Sequence, residues 1–120
     1  MSTGYVYDDA FLTHDLPGHP ENRLRLEVIL KELDGAGVRQ RLLPIPGRPA
    51  TCEELHRVHP PHYVESVRRM AGLGGGYLDP DTYVTGASFE AARMAAGGVI
   101  EATRAVLTGR VTNAFALVRP

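Results

Sequence analysis

The sequence has almost no cysteine and no cluster of charge of one sign. Its single cysteine, Cys52, excludes an internal disulfide framework and fits a reducing compartment. The 13 Lys and Arg residues are scattered among 14 Asp and Glu residues, which gives a formal net charge of -1. Because nucleic-acid binding needs a basic stripe, we expect no direct nucleic-acid partner.

Long apolar segments are also absent. No apolar run approaches the roughly 20 residues of a transmembrane helix, and the start of the chain lacks the basic and apolar regions of a signal peptide. We therefore expect a cytoplasmic protein with no membrane partner. Its 120 residues are about the size of one small domain with a modest core.

Apolar periodicity predicts two long helices. The first presents apolar side chains at i, i+3, i+4 and i+7, namely Leu26, Ile29, Leu30 and Leu33. Pro20 suits its first turn, and Gly35 or Gly37 suits its end. Glu21 would then lie in the first turn, where the helix dipole favours a carboxylate, with His19 in the preceding loop.

The second long helix is predicted over residues 87–107. Its predicted apolar and small stripe consists of Phe89, Ala92, Ala96, Val99, Ala102, Thr103 and Val106. Gly97 and Gly98 lie in its middle, and each costs about 1 kcal/mol of helix stability. We therefore expect a neighbouring segment to pack closely against these two glycines.

Shorter elements are predicted between and around these helices. Residues 3–7 predict a short strand and residues 113–120 a buried strand. Pro44 demotes residues 41–45 to an edge strand or a loop, because proline cannot donate to a ladder. Thr51 and Glu54 have the spacing of a capping box, which predicts the start of a short helix.

The middle of the chain is rich in proline and glycine. Pro60-Pro61 ends the short helix and begins another over residues 62–70. In that helix, three side chains are predicted to face inward: Tyr63, Val64 and Val67. Residues 72–86 are predicted to form a long glycine-rich loop, which in a compact domain is usually functional or disordered.

This order of elements predicts α/β layers around a largely parallel sheet. Two or three strands are few for such a sheet, since a mean sheet has about five or six. Missing sequence is the simplest explanation of the missing strands. Ligands bind beyond the carboxyl ends of strands in open α/β sheets, so the predicted strand 113–120 ends where a catalytic site would begin.

Two groups of residues could bind a ligand. His56, His59 and His62 follow one another at i+3 spacing, but Pro60-Pro61 interrupts the run and no nearby carboxylate or cysteine completes a metal site. Asp79 and Asp81 flank Pro80, where a loop carboxylate can accept hydrogen bonds from a bound backbone or amine, although Asp-Pro-Asp is also ordinary turn chemistry. A small metallohydrolase built on the three histidines is one hypothesis.

A family resemblance joins several segments. In order, these are GYVYD at 4–8, GHPE at 18–21, LDPDTYV at 78–84 before the SFEAA helix at 88–92, and ALVRP at 116–120. The chain resembles the N-terminal part of a zinc-dependent histone deacetylase, and specifically a bacterial class II-like member, a group that includes acetylpolyamine amidohydrolases and acetoin-utilisation proteins. The resemblance implies the N-terminal part of the three-layer arginase/deacetylase-type α/β fold with a mainly parallel sheet.

The resemblance also implies an incomplete active site. In the family, the strand ending in Val-Arg-Pro continues into Pro-Gly-His-His, and the zinc ligands and the catalytic tyrosine come later still. Residues 1–120 would therefore be the N-terminal segment of one catalytic domain, truncated before its catalytic histidines, with no catalytic or metal residue of its own. The whole enzyme would use zinc to hydrolyse acetyl-lysine or acetylpolyamine amides. The fragment would be inactive and would need the remainder of its own domain as a partner.

Three residues acquire roles from the resemblance. Asp81 matches the rim aspartate that accepts backbone amides of the acyl-lysine substrate. Arg25 matches the arginine of the inner cavity behind the zinc, and Tyr5 would line the same region. Arg23 is the alternative to Arg25, because Asn22-Arg23-Leu24 stands where relatives usually have a second proline; the apolar register of the helix favours Arg25.

A hypothesis from another class is a freestanding, non-catalytic binding or regulatory module with the same partial fold. Such a module would unfold cooperatively as a stable monomer, whereas a cut fragment would expose apolar strand edges and tend to associate.

Overall fold

Three parallel strands form the central sheet of the computed structural model, which describes residues 1–120. β1 (Thr3–Val6) lies between β2 (Leu43–Pro44) and β5 (Asn113–Ala116) and runs parallel to both. β2 is an edge strand, as Pro44 predicts. The predicted α/β arrangement with a mainly parallel sheet is confirmed.

The chain also forms four α-helices: α1 (Leu24–Gly35), α2 (Cys52–His56), α3 (Pro61–Gly72) and α4 (Ser88–Leu107). Short 3₁₀ helices cover Asp9–Leu12 and Arg39–Arg41. The predicted capping box of α2 is present, because Thr51 Oγ1 accepts the Glu54 N–H at 3.1 Å and the Glu54 carboxylate accepts the Thr51 N–H at 2.9 Å. None of the helices is long and apolar enough to cross a membrane.

α1 begins later than the sequence predicts. Placing Pro20 and Glu21 in its first turn is wrong, because both precede the helix, which starts at Leu24. Two side chains satisfy the backbone donors at this point: Asp15 Oδ1 accepts the Arg23 N–H at 2.9 Å, and Asn22 Oδ1 accepts the Leu24 N–H at 2.9 Å. Residues 19–22 therefore lie outside the helix, where they can contact distant parts of the chain.

The predicted loop over residues 72–86 is also wrong, because this segment contains an antiparallel hairpin. It consists of β3 (Gly75–Asp79) and β4 (Thr82–Thr85). Gly75 has φ +112°, and a Cβ there would lie 2.2 Å from the Val84 carbonyl oxygen, so glycine permits the close approach of the two strands. Gly75, one of the glycines that suggested a loop, is thus a requirement of the hairpin.

α4 packs through small residues. A Cβ on Gly97 would lie 1.7 Å from the carbonyl oxygen of Arg48, and one on Gly98 would lie 2.7 Å from Val6 Cγ1. The expected close packing at the two glycines is therefore confirmed. The segment before α2 is also bound to the helix, since the Ala50 N–H donates to the Arg93 carbonyl at 2.9 Å.

The buried stripe of α4 differs from the predicted one. It consists of Ser88, Ala91, Ala95, Gly97, Gly98, Ala102 and Ala105. Of the predicted stripe, Ala102 is buried, but Val99 and Thr103 are exposed. The helix approaches its neighbours so closely that only small side chains fit, and the larger ones lie at its flanks. On α3 the inward prediction holds for Val64 but not for Tyr63, which is exposed.

Two small clusters form the core. One contains Val6, Ile45, Ala102, Ala105 and Val111, and the other contains Phe11, Leu26, Ala95 and Leu117. The predicted buried strand 113–120 is only partly correct, because β5 ends at Ala116 and its Phe115 is 63% exposed. Beyond β5, Leu117 and Arg119 are buried, and the Leu117 N–H donates to the Val6 carbonyl at 2.9 Å.

Candidate functional site

Asp81 lies in the turn between β3 and β4, with its side chain 92% exposed. The turn is closed by Asp79, whose carboxylate accepts the Asp81 N–H at 2.8 Å and the Thr82 hydroxyl at 2.9 Å. These hydrogen bonds, the one to the Asp81 N–H first, lower the pKa of Asp79. Asp79 therefore fixes the backbone of the turn and leaves the Asp81 carboxylate at its tip.

His19 joins this turn to the segment before α1. Its Nε2 lies 3.1 Å from the Asp81 carbonyl oxygen and 3.2 Å from Asp81 Oδ1. Its Nδ1 accepts the Glu21 N–H at 3.0 Å. Because both Asp81 oxygens accept, Nε2 is the donor in these contacts.

Glu21 contacts four groups of the site. Its carboxylate pairs with Arg119 Nε at 3.0 Å and with Arg25 Nε at 3.3 Å. Its N–H donates to His19, and its carbonyl accepts the Tyr83 hydroxyl at 2.7 Å. Burial alone would raise the pKa of Glu21, but the hydrogen bond from Arg119 and the charges of both arginines outweigh it and lower the pKa.

Arg119, three residues beyond β5, is fully buried. Besides Glu21, its guanidinium donates to the Phe11 carbonyl at 3.0 Å, to the His14 carbonyl and to the Tyr83 hydroxyl at 3.0 Å. A buried charge is tolerated only when it is paired and hydrogen-bonded, and these acceptors meet that requirement. Arg119 thus joins the N-terminal loop, the hairpin and the segment before α1.

His14 lies beside this group and is also buried. Its ring stacks on Tyr83 with 4.4 Å between centroids, and its Nδ1 lies 2.6 Å from Ser88 Oγ at the start of α4. Burial, followed by the charge of Arg119, lowers the pKa of His14. The ring is therefore neutral near pH 7, and Ser88 can donate to its Nδ1 while accepting the Thr85 N–H.

Arg25 and Arg23 point to different surroundings. Arg25 donates to the Val118 carbonyl at 3.3 Å and so reaches the segment that follows β5. Arg23 pairs with Glu27 at 2.6 Å, one turn further along α1. Tyr5 packs against the cluster around Phe11, and no hydrogen bond joins its hydroxyl to Arg25. The assignments of Asp81, Arg25 and Tyr5 as site residues stay predictions.

An apolar cavity of about 320 Å³ lies beside these polar contacts. Its lining includes Tyr63, Leu78, Tyr83, Phe89 and Pro120. Tyr83 and His14 face both the cavity and the hydrogen-bonded group. An apolar recess edged by a few convergent polar side chains is typical of small-molecule sites.

A zinc site does not fit the residues of this segment. No three His, Cys, Asp or Glu side chains among residues 1–120 are grouped so as to hold a metal ion. His56, His59 and His62 do not form such a group; His59 instead lies 5.3 Å from Tyr63, ring to ring, at the edge of the cavity. The geometry gives the metallohydrolase hypothesis no support.

Sequence reasoning missed the residues that join the site together. The family resemblance assigned roles to Asp81 and Arg25, which stay predictions, but His19 and Glu21 were treated as helix-start residues and no role was given to Tyr83 or Arg119. Arg119 had a recognisable signal, because a charge at the end of the apolar run ALVRP must either reach solvent or find several acceptors.

Comparison with protein families gives a match over residues 19–120 to the histone deacetylase domain. Among curated relatives, a histone deacetylase-like amidohydrolase of Pseudomonas aeruginosa is 42% identical over 98% of this chain and 30% of its own length. The polyamine deacetylase HDAC10 of Homo sapiens is 39% identical over 100% of this chain and 20% of its own length.

A solved structure agrees with these relatives. The crystal structure of the HDA15 HD domain superposes with a TM-score of 0.94 at 40% identity, covering 99% of this chain and 36% of that one. The chain therefore spans about a third or less of the proteins that it matches.

Proposed function

The chain belongs to the histone deacetylase family, and from that premise we propose that residues 1–120 are the N-terminal segment of a deacetylase-like amidohydrolase domain. The family match covers most of the chain, and the chain covers only part of each relative. In this proposal, zinc ligands and catalytic histidines come from the rest of the domain. The segment contributes the substrate rim and part of the inner cavity.

The proposed substrate is an acetylated amine, either an acetyl-lysine side chain in a polypeptide or an acetylated polyamine. The names of the two curated relatives, an amidohydrolase and a polyamine deacetylase, support this class. The carrying observation is the Asp81 carboxylate, which is exposed at the hairpin tip and yet held by His19. A carboxylate in this setting can accept a substrate N–H or pair with a substrate ammonium group.

Arg25 and Tyr5 are proposed to line the inner cavity. The support for Arg25 is its hydrogen bond to the Val118 carbonyl just beyond β5, close to the end of the sheet where ligands bind in α/β folds. Glu21 holds the Arg25 guanidinium from the other side at 3.3 Å. The positive charge would favour a carboxylate product such as acetate.

Substitution of Asp81 tests the proposed rim. In the zinc-loaded polypeptide that contains residues 1–120, we expect D81A to raise KM for an acetyl-lysine peptide about 10- to 100-fold, the loss of one charge-assisted hydrogen bond. Glu32→Ala, an exposed carboxylate on α1, is the matched control. An unchanged KM in D81A would contradict the role of Asp81. Parallel assays with an acetylated polyamine would distinguish the two substrate classes.

The 120-residue chain alone is proposed to be inactive. Its coverage of 20% to 36% of the matched proteins supports this proposal. Adding zinc to the purified chain and measuring release of acetate from an acetyl-lysine peptide tests it. Turnover above the zinc-only blank would overturn the proposal.

A further inference from the structure

Resting on the proposed function of Asp81, we propose that His19 is a positioning residue that holds the Asp81 carboxylate in its substrate-binding orientation. The two residues are 62 positions apart in the sequence. They meet because the hairpin turn folds against the segment before α1. His19 therefore acts through Asp81 and not on the reacting atoms.

His19 is itself held rigidly. Its Nδ1 accepts the Glu21 N–H at 3.0 Å, which directs Nε2–H toward the turn. Its ring contacts Tyr83 edge-on, with 4.8 Å between centroids and 67° between planes. Its side chain is only 14% exposed. An imidazole packed and hydrogen-bonded in this way has lost most of its rotational freedom before any substrate binds.

The ring that supports His19 is held as well. The Tyr83 hydroxyl donates to the Glu21 carbonyl at 2.7 Å and accepts from Arg119 at 3.0 Å. Arg119 is fully buried and pairs with the Glu21 carboxylate. The position of His19 is thus set by the buried interior.

The Asp81 side chain, unlike that of His19, is held by few contacts. Asp79 fixes the backbone of the turn through the Asp81 N–H, but it does not contact the Asp81 carboxylate. The only hydrogen bond to that carboxylate comes from His19 Nε2, at Oδ1. Oδ2 makes none, so it is available to a substrate N–H. An exposed side chain with one protein contact depends on that contact for its orientation.

Loss of the imidazole donor would free the Asp81 side chain, so substrate binding would have to immobilise it. That cost corresponds to about a three- to tenfold rise in KM. The bond-breaking step would be unaffected, because His19 does not approach it. We therefore expect kcat to stay within about twofold, a size below that of one ordinary hydrogen bond.

A double-mutant cycle tests this inference in the zinc-loaded polypeptide that contains residues 1–120. The variants are His19→Phe, His19→Gln, D81A and the double variant H19F/D81A. His19→Phe keeps a ring against Tyr83 but has no donor, whereas His19→Gln keeps an N–H donor. We expect H19F to raise KM three- to tenfold, H19Q to restore most of it, and H19F to add nothing in the D81A background.

The outcomes separate the inference from the proposed function. An unchanged KM in D81A would refute the role of Asp81 and with it the premise. A raised KM in D81A, together with a native KM in H19F or fully additive effects in the double variant, would overturn the positioning role alone. If H19F fails to fold, His19→Met, which also lacks a donor, replaces it: a KM raised three- to tenfold supports the positioning role, and a native KM overturns it.

Discussion

Arg119 and Arg48 each join distant segments, but in different surroundings. Arg119 is fully buried and has one carboxylate partner, Glu21; its other acceptors are two backbone carbonyls and a tyrosine hydroxyl. The Arg48 side chain is 32% exposed and lies between two carboxylates, those of Glu54 and Glu101, at 2.7 Å and 2.9 Å. Both arginines thus link distant segments, one from the interior and the other from the surface.

This difference in burial indicates that the fold depends more on the contacts of Arg119 than on those of Arg48. If Arg119 is removed, the carbonyls of Phe11 and His14 lose a buried donor and the Glu21 carboxylate loses its shorter ion pair. If Arg48 is removed, both carboxylates keep a second partner, because Glu101 still pairs with Arg104 and Glu54 still accepts the Thr51 N–H. Arg119 should therefore control the assembly of the site, whereas Arg48 adjusts the attachment of α2 to α4.

The largest effect is expected from Arg119→Met, which keeps the volume of the side chain but removes every donor. We expect a loss of about 3–5 kcal/mol in the free energy of unfolding, because a buried network loses its central partner. Urea unfolding of the polypeptide that contains residues 1–120 measures this loss. Arg104→Met, an exposed arginine on α4, is the control and should be nearly neutral. Equal stability of the two variants would contradict the structural role of Arg119.

Gly97→Ala tests the close packing of the Arg48 backbone against α4. A Cβ at position 97 would lie 1.7 Å from the Arg48 carbonyl oxygen. We expect a loss of at least about 1–3 kcal/mol from overpacking, even though alanine is the better helix former. Gly35→Ala is the matched control, since a Cβ on Gly35 meets no atom within 4 Å. Thermal unfolding compares the two, and a Gly97→Ala protein as stable as Gly35→Ala would contradict the close approach.

The smallest effect is expected from acid titration of the Glu54 carboxylate, which pairs with Arg48. Hydrogen bonds, that from Arg48 first, lower the pKa of Glu54 to about 2. The unfolded chain has the ordinary glutamate pKa of about 4.3, so it binds the proton more readily than the folded protein does. The stabilisation by Glu54 is therefore complete above about pH 5 and is lost as the pH falls toward 2.

Glu54→Gln should flatten the fall of the melting temperature across this pH window, and Glu53→Gln on the same helix should not. Glu53 is an exposed neighbour that pairs weakly with Arg57 at 3.5 Å. Parallel slopes for wild type and E54Q would show that Glu54 does not titrate with the folded protein.

Local sequence patterns predicted the helices and strands well where a pattern corresponds to only one local structure. The capping box at Thr51 and Glu54, the start of α3 to within one residue and the extent of α4 all follow from short-range chemistry. The hairpin did not, because Gly75 serves a close strand approach that only the paired partner reveals. The buried face of α4 was also missed, since apolar periodicity favours large side chains and the packing distance admitted only small ones.

For a related reason, the sequence predicted candidate site residues but not the contacts that join them. The family resemblance pointed to Asp81 and Arg25, each a single residue in a recognisable segment. The contacts of Glu21 with Arg119, Tyr83 and His19 join segments up to 98 residues apart, and no local pattern records them. Residues that connect a site are therefore harder to find from sequence than residues that point into it.

The partners of Arg119 have a consequence for synthesis. Its acceptors precede it by 36 to 108 residues, and the N-terminal loop supplies the most distant of them. A ribosome adds about 5–20 residues per second, so Phe11 and His14 leave the tunnel seconds before the donor that binds them. Closing so long a chain segment costs entropy before any contact compensates it. The loop that contains Phe11 and His14 is consequently expected to become ordered only after Arg119 has been made.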